Sequence, residues 1–131
     1  AMQGKPVAEL EGAARQLALF DALAEEDQRQ LLGFALAGAD ETGADAERLA
    51  QAWAKGDLAL LEAETRRGML GDPELHEALL AGRNRAWAGQ LDALLSGGAR
   101  PFVAVGAMHL VGPDGLPAQL SALGWTVRRV Q

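Results

Sequence analysis

The chain contains no cysteine, no tyrosine and no isoleucine. Without thiols there is no disulfide scaffold, no thiolate nucleophile and no thiolate metal site, and the chain suits a reducing or an oxidising compartment alike. Valine occurs only at positions 7, 103, 105, 111, 127 and 130, so no β-branched aliphatic side chain lies between Ala8 and Phe102. That shortage of strand formers excludes an all-β fold. Serine is equally scarce: Ser96 and Ser121 stand alone, neither beside a suitable base, and GxSxG, P-loop and GxGxxG spacings are absent. No apolar run approaches the ~20 residues that cross a bilayer, and the N-terminus lacks the basic, apolar and small-residue regions of a signal peptide. A soluble chain without a transmembrane segment is expected. Basic residues are outnumbered, 12 Lys+Arg against 18 Asp+Glu for a net charge of −6, which excludes a nucleic-acid partner held by basic stripes.

What is present is mainly helix former. Ala (27) and Leu (22) supply most of the hydrophobic residues in a chain of 131, a length that suits one domain. The charge is uneven: residues 1–77 hold 16 acids and 7 bases (−9), and residues 78–131 hold 2 acids and 5 bases (+3). The halves are therefore suited to face each other, within or between chains.

The alternation over Lys5–Glu11 predicts a short strand, ended by Gly12. A helical hairpin follows over Ala13–Leu23 and Glu25–Ala37, then a polar connection from Gly38 to Gly43. Asp45 can cap a helix carrying Leu49, Ala52 and Trp53, and Asp57 opens another that runs to Leu70. Asp72-Pro73-Glu74 is the clearest start signal, and Gly97-Gly98 closes a long helix. Pro101–Gly106 is a continuous apolar run of the kind buried on both faces of a sheet. Leu116–Leu123 fits a short helix and Trp125–Val130 a last strand, joined to the earlier one by a right-handed parallel crossover. The expected fold class is thus α/β (α+β): helix-rich, with a small sheet of about three strands at the N- and C-terminal ends, a helical insert between them, and a C-terminal strand-loop-helix-strand unit. Trp53, Trp87 and Trp125 fall on apolar faces and are expected in the core.

Two features suggest chemistry. On an ideal helical wheel counted from Leu75, the apolar arc of the long helix spans roughly 0° to 160°, and His76, Arg83 and Gln90 fall inside it at about 100°, 80° and 60°. Either these side chains snorkel outward, or Arg83 holds an anion or a carboxylate, with Glu9 and Glu11 as available partners. The second feature is Gly106-Ala107-Met108-His109, where a predicted strand ends, the position at which α/β sheets gather their sites. His109 is the best-placed catalytic or metal-binding candidate. With His76 ~33 positions away and only two histidines in the chain, no local zinc motif exists.

The run Phe102-Val-Ala-Val-Gly-Ala-Met-His-Leu-Val-Gly-Pro-Asp-Gly-Leu116, followed by Leu120, Gly124-Trp125 and Val127, resembles the C-terminal signature of the TraB/GumN proteins, to which the Tiki metalloproteases are related. Lys5-Pro-Val and Leu10-Glu11 with Gln16-Leu17 resemble that family's strand-to-helix entry, and Arg83-Asn84-Arg85 with Trp87 resembles its basic helix segment. The resemblance spans nearly the whole chain but implies only the C-terminal half of a typical family domain, carrying the second of two GxxH motifs. It implies a metal-dependent hydrolase, protease-like, that needs an N-terminal half for activity. It further implies His109 as a metal or catalytic residue, Glu11 as an acidic site residue and metal ligand, and Arg83 as an anion-binding or transition-state group. The implied cofactor is a divalent ion, Mn, Co or Zn, the implied substrate a peptide or other small molecule, and export of full-length relatives to the cell envelope stays open. Gly82 departs from the larger polar residue expected there and bears mainly on local helix stability. Half a sheet would expose edges, so a homodimer joined through them is expected. The alternative to an enzyme is a noncatalytic binding or self-association module, suggested by the helical insert and the charge asymmetry.

Overall fold

Residues 4, 6–38 and 44–130 are described by a computed structural model of the chain. Helices form where the Ala/Leu-rich sequence places them. α1 (Ala13–Asp21) and α2 (Glu25–Gly38) make the expected hairpin, α2 opening on Glu25, Glu26 and Asp27, whose charges suit the positive end of the helix dipole. The connection predicted from Gly38 to Gly43 lies, beyond Gly38, outside the described residues. α3 (Ala44–Lys55) packs on α4 (Leu58–Glu64), whose first turn is capped by Asp57 accepting from Leu60 N at 3.0 Å. α4 stops well before the predicted Leu70. Thr65 Oγ1 donates back to the Glu62 carbonyl at 2.7 Å, a side-chain bond that competes with the helix, and Gly68 enters a 3₁₀ turn (Gly68–Gly71) at φ 54°.

The long helix is continuous but not uniform. It consists of α5 (Pro73–His76), a π-helical segment (Glu77–Ala81) and α6 (Gly82–Ser96). Asp72 caps it as expected, accepting from Glu74 N and Leu75 N at 3.0 Å each. Gly98, at φ 82°, turns the chain away from its end. α7 (Leu116–Ala122) lies against α6. Trp87, Ala88, Leu91 and Leu116 form one buried cluster, with Leu10, Val105 and Leu120 packed on it. Ala52, Leu61 and Val111 form a second.

The predicted sheet is not there. Among the described residues there is no strand: residues 6–11, 101–106 and 125–130 are extended but unladdered, and the parallel crossover falls with them. Lys5, the predicted start of the first strand, is outside the described residues. The physical reason is that a strand is a property of two segments, since its N–H and C=O groups need a neighbour to bond. The three segments are present, and none is joined to another by a ladder of hydrogen bonds. The run expected to be buried on both faces leaves Phe102 95% exposed, and Val130 is 85% exposed. Trp53 is likewise exposed instead of buried, whereas Trp87 is buried and Trp125 half-buried with Nε1 donating to Asp92 Oδ1 at 2.8 Å.

Candidate functional site

The π segment decides which side chains face inward. A π turn places about one extra residue in the helix, which turns everything after it by about 100° relative to an ideal wheel. Arg83 and Gln90, mid-face on that wheel, are thereby moved to the rim, and Asn84 is brought to the centre, where it is fully buried. Gly82 is the residue that allows this. Its N–H bonds the Glu77 carbonyl, and a Cβ there would stand 2.8 Å from that same oxygen, too close for any other residue. Gly82 therefore shapes the site, a larger part than the loss of helix propensity expected of it.

Arg83 finds the carboxylate its position demands. Nε lies 3.1 Å from both Glu11 oxygens and Nη2 donates to Glu11 Oε2 at 2.7 Å, while Nη1 donates to the Leu79 carbonyl at 3.1 Å. Both side chains are largely buried. This two-pronged pair is the geometry for which a planar guanidinium is suited. Glu9, the other partner considered, is exposed. Leu10, next to Glu11, accepts from Gln90 Nε2 through its carbonyl at 3.0 Å, so two side chains of α6 hold the segment that leads into α1.

The guanidinium lies over Trp87, 4.8 Å from the ring centroid, and on Trp87 also packs the His109 imidazole, with centroids 4.6 Å apart and planes tilted by 44°. His109 stands in a 3₁₀ turn (Ala107–Leu110), where its N–H bonds the Gly106 carbonyl at 2.9 Å. The GxxH spacing is thus one i, i+3 hydrogen bond wide. His109 Nδ1 is 2.6 Å from Asn84 Oδ1, and Asn84 Nδ2 donates to the Asp114 carbonyl at 2.7 Å. The amide group of Asn84 must donate to that carbonyl, so its oxygen is what faces His109, and Nδ1 carries the proton. Nε2 is left as the nitrogen with the lone pair, and no described residue bonds it. Burial, and then the Arg83 guanidinium, push the His109 pKa down to about 4 against a smaller opposing pull from Glu11, so the ring is neutral at physiological pH.

The second histidine joins from the other side. His76 Nδ1 faces the Thr65 and Leu70 carbonyls at 2.9 and 3.2 Å, and Nε2 faces Asp114 Oδ2 at 3.2 Å. The structure thus brings Glu11, Arg83 and His109 together around Trp87, with Asn84 and Asp114 behind them. Asn84 and Asp114 are the residues that sequence reasoning missed. An Asn in mid-helix, two residues after Gly82, is the one sequence signal for the first, and the ideal wheel turns it outward. An open groove of about 510 Å³ between α1 and the long helix is lined by Glu11, Arg15, Glu77, Gly82 and Arg83. His109 does not line it, so the groove adjoins the ion pair and not the free imidazole nitrogen.

A sequence model of the TraB/PrgY/gumN family matches residues 1–129. The chain belongs to this family. Searches of curated proteins and of solved structures return no match. No helix among the described residues is long and apolar enough to cross a membrane.

The divalent ion implied by the resemblance can be tested against the donors present. A neutral imidazole whose other nitrogen donates to a fixed oxygen is the form in which histidine ligates metals, and His109 meets it. Glu11 does not, because its two oxygens are taken by Arg83. No three His, Asp or Glu side chains among the described residues are grouped to hold an ion. As a set, these residues do not fit a divalent metal.

Proposed function

We propose that this family member supplies part of a hydrolytic site in which His109 is the reactive group; the metal-dependent, Tiki-like form that the resemblance implies is not carried by the described residues. The observation behind this reading is the bond from His109 Nδ1 to Asn84 Oδ1 at 2.6 Å, which reserves Nε2 as a donor atom. A pKa near 4 makes the ring a weak proton carrier at neutral pH and favours a lone-pair role over general-base work. Glu11 and Arg83 neutralise each other and support the Trp87 face on which His109 rests. The test is calorimetric titration with Mn, Co and Zn beside a peptide-hydrolysis assay. Cleavage that is lost in His109→Ala is expected, and no cleavage with or without any of the three ions overturns the reading.

The exposure of apolar side chains on unladdered extended backbone favours a second reading, self-association. Val7, Phe102 and Val130 stand in water on segments that form no ladder among the described residues, and such backbone invites pairing with another chain. A homodimer in light scattering at tens of micromolar is its expected signature, and a clean monomer counts against it.

A further inference from the structure

Every atom facing the His76 ring is an oxygen that accepts. Nδ1 has the carbonyls of Thr65 and Leu70, at the end of α4 and in the 3₁₀ turn, and Nε2 has the Asp114 carboxylate. The ring thus bridges the end of α4 and the 3₁₀ turn, on its Nδ1 side, to the Asp114 side chain, on its Nε2 side. The same residue, Asp114, presents its main-chain carbonyl to Asn84 at 2.7 Å. The tight turn carrying it is also held by the backbone bond from Gly115 N to Gly112 O at 3.2 Å and by its buried flanks, Val111 and Leu116.

We infer that the His76–Asp114 pair is a positioning latch that fixes the orientation of the Asn84 amide and, through it, the tautomer of His109. The inference deepens the proposed reading, because it names what keeps Nε2 of His109 free, but it concerns a proton position and needs no substrate. With the latch closed, the Asp114 carbonyl stays over Asn84 Nδ2, Asn84 Oδ1 stays toward His109, and the imidazole proton stays on Nδ1. With it open, the turn can move, the amide can rotate, and an amide nitrogen toward His109 would draw the proton to Nε2 instead. His76 and Asp114 are positioning residues in this scheme, since neither touches His109.

The chain has two histidines, so its ring nitrogens give a short, assignable ¹⁵N spectrum. Well above the lowered value of His109, its ring should show a single Nδ1–H tautomer. Asp114→Ala is expected to lose the single-tautomer signature of His109, and Asp114→Asn, which still offers an oxygen to His76, is expected to restore it. A folded Asp114→Ala protein in which His109 remains the pure Nδ1–H form overturns the latch. Should Asp114→Ala not fold, His76→Leu carries the same comparison with His76→Gln as the rescuing variant. A positive tautomer result beside absent hydrolysis would leave the latch standing and defeat only the hydrolytic reading.

Discussion

A single methyl group at position 82 tests the geometry of the whole site. In an ordinary exposed helix interior, replacing Gly by Ala stabilises by about 1 kcal/mol, because the glycine's extra chain entropy no longer has to be lost. At Gly82 the new Cβ would stand 2.8 Å from the Glu77 carbonyl and 3.1 Å from Glu77 Oε1. Opening such a contact resembles overpacking, which costs about 1–3 kcal/mol, so the net expectation is a loss of about 1–2 kcal/mol where a gain is usual. If the helix instead expels its π turn, α6 rotates by about 100° against α5, and Arg83 leaves Glu11. Gly89→Ala is the internal control, since it lies in the same helix and its Cβ would meet nothing within 4 Å. Thermal unfolding followed by circular dichroism should place Gly82→Ala several degrees below the parent and Gly89→Ala a few degrees above it. The near-ultraviolet signal of Trp87, which touches both Arg83 and His109, should change in the first variant only. A Gly82→Ala protein as stabilised as Gly89→Ala would refute the π turn and the register built on it.

Asn84→Leu, of similar volume, leaves His109 Nδ1 and the Asp114 carbonyl without partners and should cost about 2–4 kcal/mol in urea unfolding; a cost below about 1 kcal/mol would remove Asn84 from its central place. Arg83→Met strands the Glu11 carboxylate, so a double-mutant cycle with Glu11→Gln should give a coupling of about 1–3 kcal/mol, and a coupling near zero would show the pair to be incidental. Because the folded pKa of His109 lies below the unfolded value near 6.5, the unfolded chain takes up a proton that the folded one refuses. Stability should therefore fall as pH drops from about 6.5 toward 4, by up to about 1.4 kcal/mol per unit, and be full above that window. His109→Gln should lose that part of the pH dependence, and an unchanged slope would contradict the buried neutral ring.

The helices were legible in the sequence because their signals are local. Asp72-Pro73-Glu74 opens a helix by satisfying free N–H groups within three residues, and Gly97-Gly98 ends it by permitting a backbone other residues avoid. Strands at Val7, Val103 and Val127 were not legible in the same sense, since alternation states a capacity to pair and says nothing of whether a neighbour is in place. A carboxylate partner for Arg83, with Glu9 and Glu11 both available, was suggested by the cost of an unaccompanied cation on an apolar face, and the structure selects Glu11. Asn84 was hidden because an ideal 100° wheel has no place for a π turn, and the glycine that permits one looks like any weak spot in a helix.

Glu11 stands at the root of α1, and neither α1 nor α2 buries a side chain. Much of what seats this hairpin on the long helix is polar: the guanidinium on Glu11 and the Gln90 amide on the Leu10 carbonyl. Such a segment belongs to the weakly protected end of a molecule's range of local opening energies, and its amides should exchange well before those of α6. Each excursion would leave Arg83 without its counter-charge while His109, held by Asn84 and Trp87, stays in place. The charge felt by the imidazole is therefore set by a clock, the fraction of time the hairpin spends seated.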